Sequence, residues 1–215
     1  IRTEELLALQ KPAEEYAHRD ELLFTVTHQS SELWLRLAVT EIETATAHLG
    51  RGEIAPALRL LRRANLCFVL VTEALEMLEQ MSPWEYTSGV RPQLGHGSGF
   101  DSPGFRGLQR VMPPLGEAFN RLRREASLSV PELYKQGRDH ESLYLLAEAL
   151  TELDERAGVW RYRHLRVVER IIGGLVVGTQ GTPVELLAGL IHRKYFPELW
   201  DVRNDLTNMA KELEG

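Results

Sequence analysis

Long stretches of the sequence place apolar side chains three or four positions apart, and this rhythm constrains the fold more than any other feature. The pattern predicts helices over residues 20–49, 56–81, 115–124, 142–172 and 184–193. Strand patterns are confined to pieces as short as Val176-Val177, and no repeat or linker divides the chain. We therefore predict an all-α protein in which residues 1–215 form one helical domain.

Two stretches between the predicted helices are rich in proline or glycine. Residues 82–114 hold five of the ten prolines and predict a long loop with short helical turns. A second loop, rich in glycine and threonine, is predicted over residues 174–184. Loops as long as residues 82–114 usually have a functional role in compact domains, so this one is a candidate source of ligand-binding residues.

Composition and charge exclude several classes of protein. The formal net charge of −6 lacks the dominant basic face of a nucleic-acid binder, and no nucleic-acid partner is expected. No apolar run approaches the roughly 18 residues of a membrane span, and no membrane association is expected. The single cysteine, Cys67, lies in an apolar stretch and is predicted to fill the core, which fits a reduced, cytoplasmic protein.

Two histidines lie on apolar faces of predicted helices. His28 shares its face with Phe24 and Leu35, and His164 shares its face with Trp160 and Val168. Apolar surroundings suit a neutral imidazole that coordinates haem iron, but they suit a structural core histidine equally well. The spacing alone leaves both interpretations open.

Other catalytic patterns are absent or incomplete. The sequence has no His-Glu-x-x-His pair, no two Glu-x-x-His units for a di-iron site and no Gly-x-Ser-x-Gly. In the loop over residues 82–114, Arg91 is the cation best suited to pair with a substrate carboxylate. The alternative for Arg91 is an ordinary surface arginine.

Five sequence blocks occur in order along nearly the whole chain. They are Leu6-Leu7-Ala-Leu-Gln10-Lys-Pro12, Asp20-Glu-Leu-Leu-Phe24-x-x-x-His28-Gln29-x-x-Glu32-Leu33-Trp34, Arg91-x-x-Leu94-Gly-x-x-Ser98-Gly99-Phe100-x-Ser102, Trp160-Arg-x-x-His164-x-x-x-Val168-x-Arg170-x-Ile172-Gly173 and Phe196-Pro197-Glu198-Leu199-x-Asp201-Val202-Arg203. Together they resemble the tryptophan 2,3-dioxygenase family. The resemblance implies an all-helical oxygenase with non-covalent haem b, which acts on a small aromatic substrate and O2 and assembles as a homotetramer. The alternative assembly is a dimer.

The resemblance also implies roles for individual residues, which are expectations at this stage. It makes His164 the proximal iron ligand, with Trp160 and Ser98 beside the haem. His28 becomes the distal catalytic histidine that meets the indole N–H. The substrate-binding residues it implies are Phe24, Tyr86, Arg91 and Thr179.

The chain departs from the family pattern in three places. In the loop Gly178-Thr179-Gln180-Gly181-Thr182-Pro183, Thr179 falls one position later than the family threonine that holds the substrate ammonium. The segment from Glu85 to Arg91 is one residue longer, and the region between Phe100 and Trp160 is much shorter. The leading interpretation is a dioxygenase of tryptophan or a related indole. The alternatives are a haem-dependent mono-oxygenase of tyrosine or a substituted indole, and a non-catalytic haem-binding sensor.

Overall fold

The structure is a computed structural model that describes residues 1–95, 101–176 and 184–214. Its helices are α1 (Thr3–Leu7), α2 (Asp20–Gly50), α3 (Ile54–Leu78), α4 (Pro83–Glu85), α5 (Pro103–Glu125), α6 (Val130–Lys135), α7 (Glu141–Ile172), α8 (Glu185–Ile191) and α9 (Pro197–Glu214). Short 3₁₀ helices span Ala13–Glu15 and Arg91–Leu94, and a π-helical turn spans Tyr86–Val90. No strand occurs in these ranges, and the all-α prediction is confirmed.

Three long helices form the centre of the fold. The helices α2 and α3 are joined by a short turn at 51–53 and pack along each other, while α7 packs on α3 and α5 packs on α2. Their bounds match the predicted helices to within three residues, because each buries a continuous apolar stripe. The predicted end of α7 is also confirmed, at Gly173, whose φ of +92° is a conformation that favours glycine. Cys67 is buried in this core, as predicted.

The prediction of a loop continuing to residue 114 is wrong, because α5 begins at Pro103 and runs through Pro113 and Pro114. Proline cannot donate the helical hydrogen bonds, so the carbonyls of Gln109 and Arg110 lose their amide donors. Both prolines and both carbonyl-bearing residues are exposed, and water can satisfy these groups. The opposite face of α5 is buried in the core and holds the helix in place through Leu108, Val111, Met112, Leu115 and Phe119.

The last helix, which the sequence analysis did not predict, is tied to its neighbours by the Phe196–Arg203 block. Arg203 donates to Glu148 of α7 at 2.6 Å and to the Tyr134 hydroxyl of α6 at 2.8 Å. Phe196 is buried and lies against Gly116 of α5, where a Cβ would come within 3.2 Å of its ring. Within the described ranges, none of the helices is both long and apolar enough to span a membrane.

Close contact between α2 and α5 requires glycine at residue 104, and we expect Gly104→Ala to destabilise the fold. A Cβ there would lie 2.5 Å from Leu35 Cβ and 2.9 Å from Glu32 Oε2. Overpacking of this kind costs about 1–3 kcal/mol of unfolding free energy, measurable by urea denaturation. The matched control is Gly158→Ala in α7, where no atom lies within 4 Å of the new Cβ. That variant should be stabilised by about 0.5–1 kcal/mol, and equal destabilisation of both would contradict the packing argument.

Candidate active site

A cavity of about 330 Å³ lies among α2, α3, α5, α7 and α8, and residues of the 86–94 segment also line it. Its walls are largely apolar, with Leu75 and Leu78 from α3 and Val167 and Ile171 from α7. These four residues form a small cluster with Met81. The helices bring His28, Phe24, Tyr86, Arg91, Trp160 and His164 to the wall of this one cavity. Apolar walls with a few polar groups are typical of a small-molecule site.

His164 enters the cavity from α7 as a neutral imidazole. Burial, with a smaller contribution from the charge of His28, lowers the pKa of His164 to about 4. Its ring stacks on the Trp160 indole, with centroids 4.9 Å apart and planes inclined by 12°. A neutral imidazole offers a lone pair to a metal without first losing a proton.

His28 lines the same cavity from α2, and it is less buried than its predicted apolar helix face suggested. The side chain is exposed, but the surface it exposes lines the cavity. Desolvation by the cavity walls lowers the pKa of His28, although the Phe24 carbonyl and the Glu32 charge act in the opposite direction. The ring also stacks on Phe24, at 4.0 Å between centroids.

The hydrogen bond of His28 determines which ring nitrogen can accept a proton. Nδ1 lies 2.7 Å from the Phe24 carbonyl oxygen, which can only accept, so neutral His28 carries its proton on Nδ1. Nε2 is then the acceptor of the ring. A ligand N–H at this side of the cavity would find a hydrogen-bond acceptor there.

A π-helical turn places Tyr86 and Arg91 on the cavity wall together. The Arg91 amide donates to the Tyr86 carbonyl five residues earlier, which holds one residue more than an α-helical turn. A π-helical turn is a local structure that can accommodate the extra residue expected for the 85–91 segment. Burial raises the pKa of Tyr86, and the Arg91 guanidinium offsets only part of that rise. The centroid of the Tyr86 ring lies 6.0 Å from that of the Phe24 ring. The other two loop candidates, Ser98 and Thr179, lie outside the described residues.

Glu32 connects the helix of His28 to the start of α5. Its carboxylate accepts hydrogen bonds from the Ser102 hydroxyl and, at 2.8 Å, from the Gly104 amide. Ser102 in turn caps α5 through the Phe105 amide. Sequence reasoning missed the partners of Glu32, because they lie about 70 residues away in the chain.

The indole nitrogen of Trp160 is a buried donor with no hydrogen-bond partner among the described residues. Phe105 packs on the same indole, with centroids 3.9 Å apart. Because Trp160 lines the cavity, an acceptor on a bound molecule could satisfy this donor.

The fold and the cavity together define a helical protein with two neutral histidines at a single ligand site. Comparison with known proteins narrows this class. The model of the tryptophan 2,3-dioxygenase family matches residues 1–122. The tryptophan 2,3-dioxygenases of Caulobacter vibrioides and Saccharopolyspora erythraea are each 32% identical to this chain. Each alignment covers 96% of the chain, with 96% of the first relative and 91% of the second.

The chain belongs to the tryptophan 2,3-dioxygenase family. The alignment with the Caulobacter protein runs over 257 positions, so the relatives carry residues that this shorter chain lacks. Members of the family are haem-dependent oxygenases.

The cavity residues fit a haem. His164 supplies a neutral nitrogen donor, Trp160 supplies an unsatisfied N–H, and the walls are apolar. Within the described ranges no three His, Cys, Asp or Glu side chains converge to hold a metal ion. Among the described residues, the lining also carries one carboxylate, that of Glu32, and four arginines that suit carboxylate substituents (Arg91, Arg106, Arg161 and Arg193).

Proposed function

We propose that the protein adds O2 across the indole C2–C3 bond of L-tryptophan, cleaves that bond and releases N-formylkynurenine, which retains both oxygen atoms. The observation that carries this proposal is the pair of neutral imidazoles, His28 and His164, on one apolar cavity in a chain of this family. The relatives named above are tryptophan 2,3-dioxygenases, which supports the dioxygenase and not the mono-oxygenase alternative.

In this proposal non-covalent haem b binds through His164, with Trp160 and Ser98 beside it. Bound haem supplies the iron at which O2 is activated. His164 contributes its lone pair directly, because its low pKa leaves the imidazole neutral at physiological pH. The apolar walls exclude water from the reacting atoms.

The substrate is held by residues of α2 and the 86–94 segment. Nε2 of His28 accepts the hydrogen bond of the indole N–H, while the Phe24 ring packs on the indole. Tyr86 forms the aromatic wall opposite, and Arg91 pairs with the carboxylate. Thr179 is assigned to the ammonium group on the family resemblance alone.

Because Arg91 pairs with the substrate carboxylate in this proposal, Arg91→Ala should slow only the turnover of substrates that carry a carboxylate. We expect kcat/KM for L-tryptophan to fall about 10- to 150-fold, the range for a lost charged hydrogen bond. Tryptamine lacks the carboxylate, so wild-type and variant proteins should turn it over at similar rates. Product formation is followed by mass spectrometry under isotopically labelled O2, where both heavy oxygen atoms should appear in N-formylkynurenine.

The controls test the role of Arg91 and the type of oxygenation separately. Arg91→Lys keeps the charge without the planar fork and should lie between wild type and Arg91→Ala. Equal losses on both substrates would show that Arg91 supports the pocket rather than the carboxylate. Incorporation of a single labelled oxygen atom would replace the dioxygenase with a mono-oxygenase.

We also propose that the chain acts as a homo-oligomer, a tetramer or a dimer, which light scattering would measure. An exposed apolar surface on α1 and α2 supports this, formed by Leu6, Leu7, Leu22, Val26, Leu33, Trp34 and Leu37. The cytoplasmic location stays a prediction of the sequence.

A further inference from the structure

Two of the cavity arginines are held side by side near the helix of the proposed iron ligand. The Arg161 side chain donates to the Arg193 carbonyl oxygen at 2.6 Å. The Tyr195 ring lies beside both guanidinium groups, 5.0 Å from that of Arg161 and 6.0 Å from that of Arg193. All three residues line the cavity, and Arg161 lies one helical turn before His164.

This cluster has no acidic partner in the described part of the chain. Neither guanidinium forms an ion pair with a described carboxylate, and Glu32, the acidic residue of the lining, is occupied by Ser102 and Gly104. The two guanidinium charges beside one ring repel each other, and an anion bound near them would relieve that repulsion. Arginine is the side chain best suited to carboxylates, because its planar fork donates two parallel hydrogen bonds.

A buried carboxylate fixes the segment that carries Arg193 and Tyr195. Asp154 of α7 is 3% exposed, and one of its oxygens accepts from the Tyr195 amide at 2.9 Å, the Phe196 amide at 3.1 Å and Trp200 Nε1 at 3.1 Å. It lies two turns before Arg161 on the same face of α7. The segment between α8 and α9 is thereby attached to the helix that carries Arg161 and His164.

We propose that Arg161, Arg193 and Tyr195 form a carboxylate-binding subsite that holds the propionate groups of the haem, and that Asp154 is its positioning residue. The inference rests on the proposed function, because it takes haem as the ligand of His164. The substrate carboxylate is the other possible occupant of such a site. The position of the cluster, one turn from His164 and on α7 rather than on the 86–94 segment with Arg91, favours the propionates.

Haem and its dimethyl ester test the subsite, since the ester keeps the iron and the ring but has no charged propionates. The rate of transfer to apomyoglobin gives the retention of each porphyrin, independently of turnover. Wild-type protein should retain haem on the order of 10- to 100-fold longer than the ester. Arg161→Gln and Arg193→Gln should each lose most of this discrimination while the His164 ligation spectrum is kept.

Arg193→Gln leaves the backbone carbonyl that Arg161 uses, so it tests the charge without removing that hydrogen bond. The matched control is Arg156→Gln on α7, because Arg156 forms a surface ion pair with Glu152. This variant should discriminate between haem and its dimethyl ester as wild type does. Asp154→Asn weakens the three hydrogen bonds and should reduce the discrimination between haem and its ester. Asp154→Glu keeps a carboxylate that can accept from the same amides and should recover part of it.

The outcomes distinguish failure of the propionate subsite from failure of the proposed function. Wild-type protein that binds haem through His164 but retains the ester equally well would overturn the subsite and leave the proposed function standing. Failure of wild-type protein to bind either porphyrin would instead overturn the proposed function. Arginine variants that keep haem discrimination but lose preference for tryptophan over tryptamine would assign the cluster to the substrate and refute our assignment.

Discussion

Replacement of His164 by alanine should remove most of the haem from the purified protein and abolish turnover. The imidazole is the neutral nitrogen donor that the cavity offers from α7, beside the Trp160 ring. Loss of a residue that merely supports a metal ligand costs about 10- to 100-fold in affinity, and loss of the ligand itself should cost more. The Soret absorbance per protein and the ferrous ligation spectrum measure the effect.

Two controls distinguish ligation from damage to the fold. Exogenous imidazole should restore much of the haem spectrum to His164→Ala, because the variant leaves space where the ring was. His48→Ala, in the last turn of α2, removes a histidine that does not line the cavity and should retain full haem content. Full haem content and an unchanged spectrum in His164→Ala would show that another group binds the iron.

The sequence predicted those parts of the fold that follow from local periodicity. The helices α2, α3 and α7 bury apolar stripes of the expected spacing, so their bounds could be found from the sequence. The start of α5 could not, because Pro113 and Pro114 are local signals of a loop. Their effect is outweighed by burial of Met112, Leu115 and Phe119, which depends on the packing of distant helices.

In the candidate site, too, features that follow from local sequence could be predicted and features that depend on distant contacts could not. The resemblance pointed to His28, His164 and Arg91, which the fold brings to one cavity. The partners of Glu32 and Asp154 were missed, because each pair joins residues 40 or more positions apart. Arg161 could have been noticed within the Trp160–His164 block. Arg193 and Tyr195 lie between helices in a segment whose contact with α7 is a property of the tertiary structure.

His28→Ala should keep the haem and lose rate. The Nδ1 proton of His28 is donated to the Phe24 carbonyl, so Nε2 is available to accept the indole N–H. A group that acts by hydrogen bonding or proton transfer contributes about 10²- to 10⁴-fold, and single-turnover rates in the ferrous protein should fall towards that range. If both histidine variants lost haem equally, His28 and His164 would both be iron ligands and no open site for O2 would remain.

The substrate offers a sharper control for His28 than a further variant does. In 1-methyltryptophan a methyl group replaces the indole N–H, so the hydrogen bond to Nε2 is absent. His28→Ala should therefore slow tryptophan much more than the methylated substrate. Burial holds the pKa of His28 below its ordinary value, so the tryptophan rate should be level near neutral pH and fall at acidic pH, where protonation converts Nε2 from an acceptor into a donor. The methylated substrate should show less of this acid limb, because its reaction does not use the acceptor; an equal acid limb on both substrates would show that another group titrates.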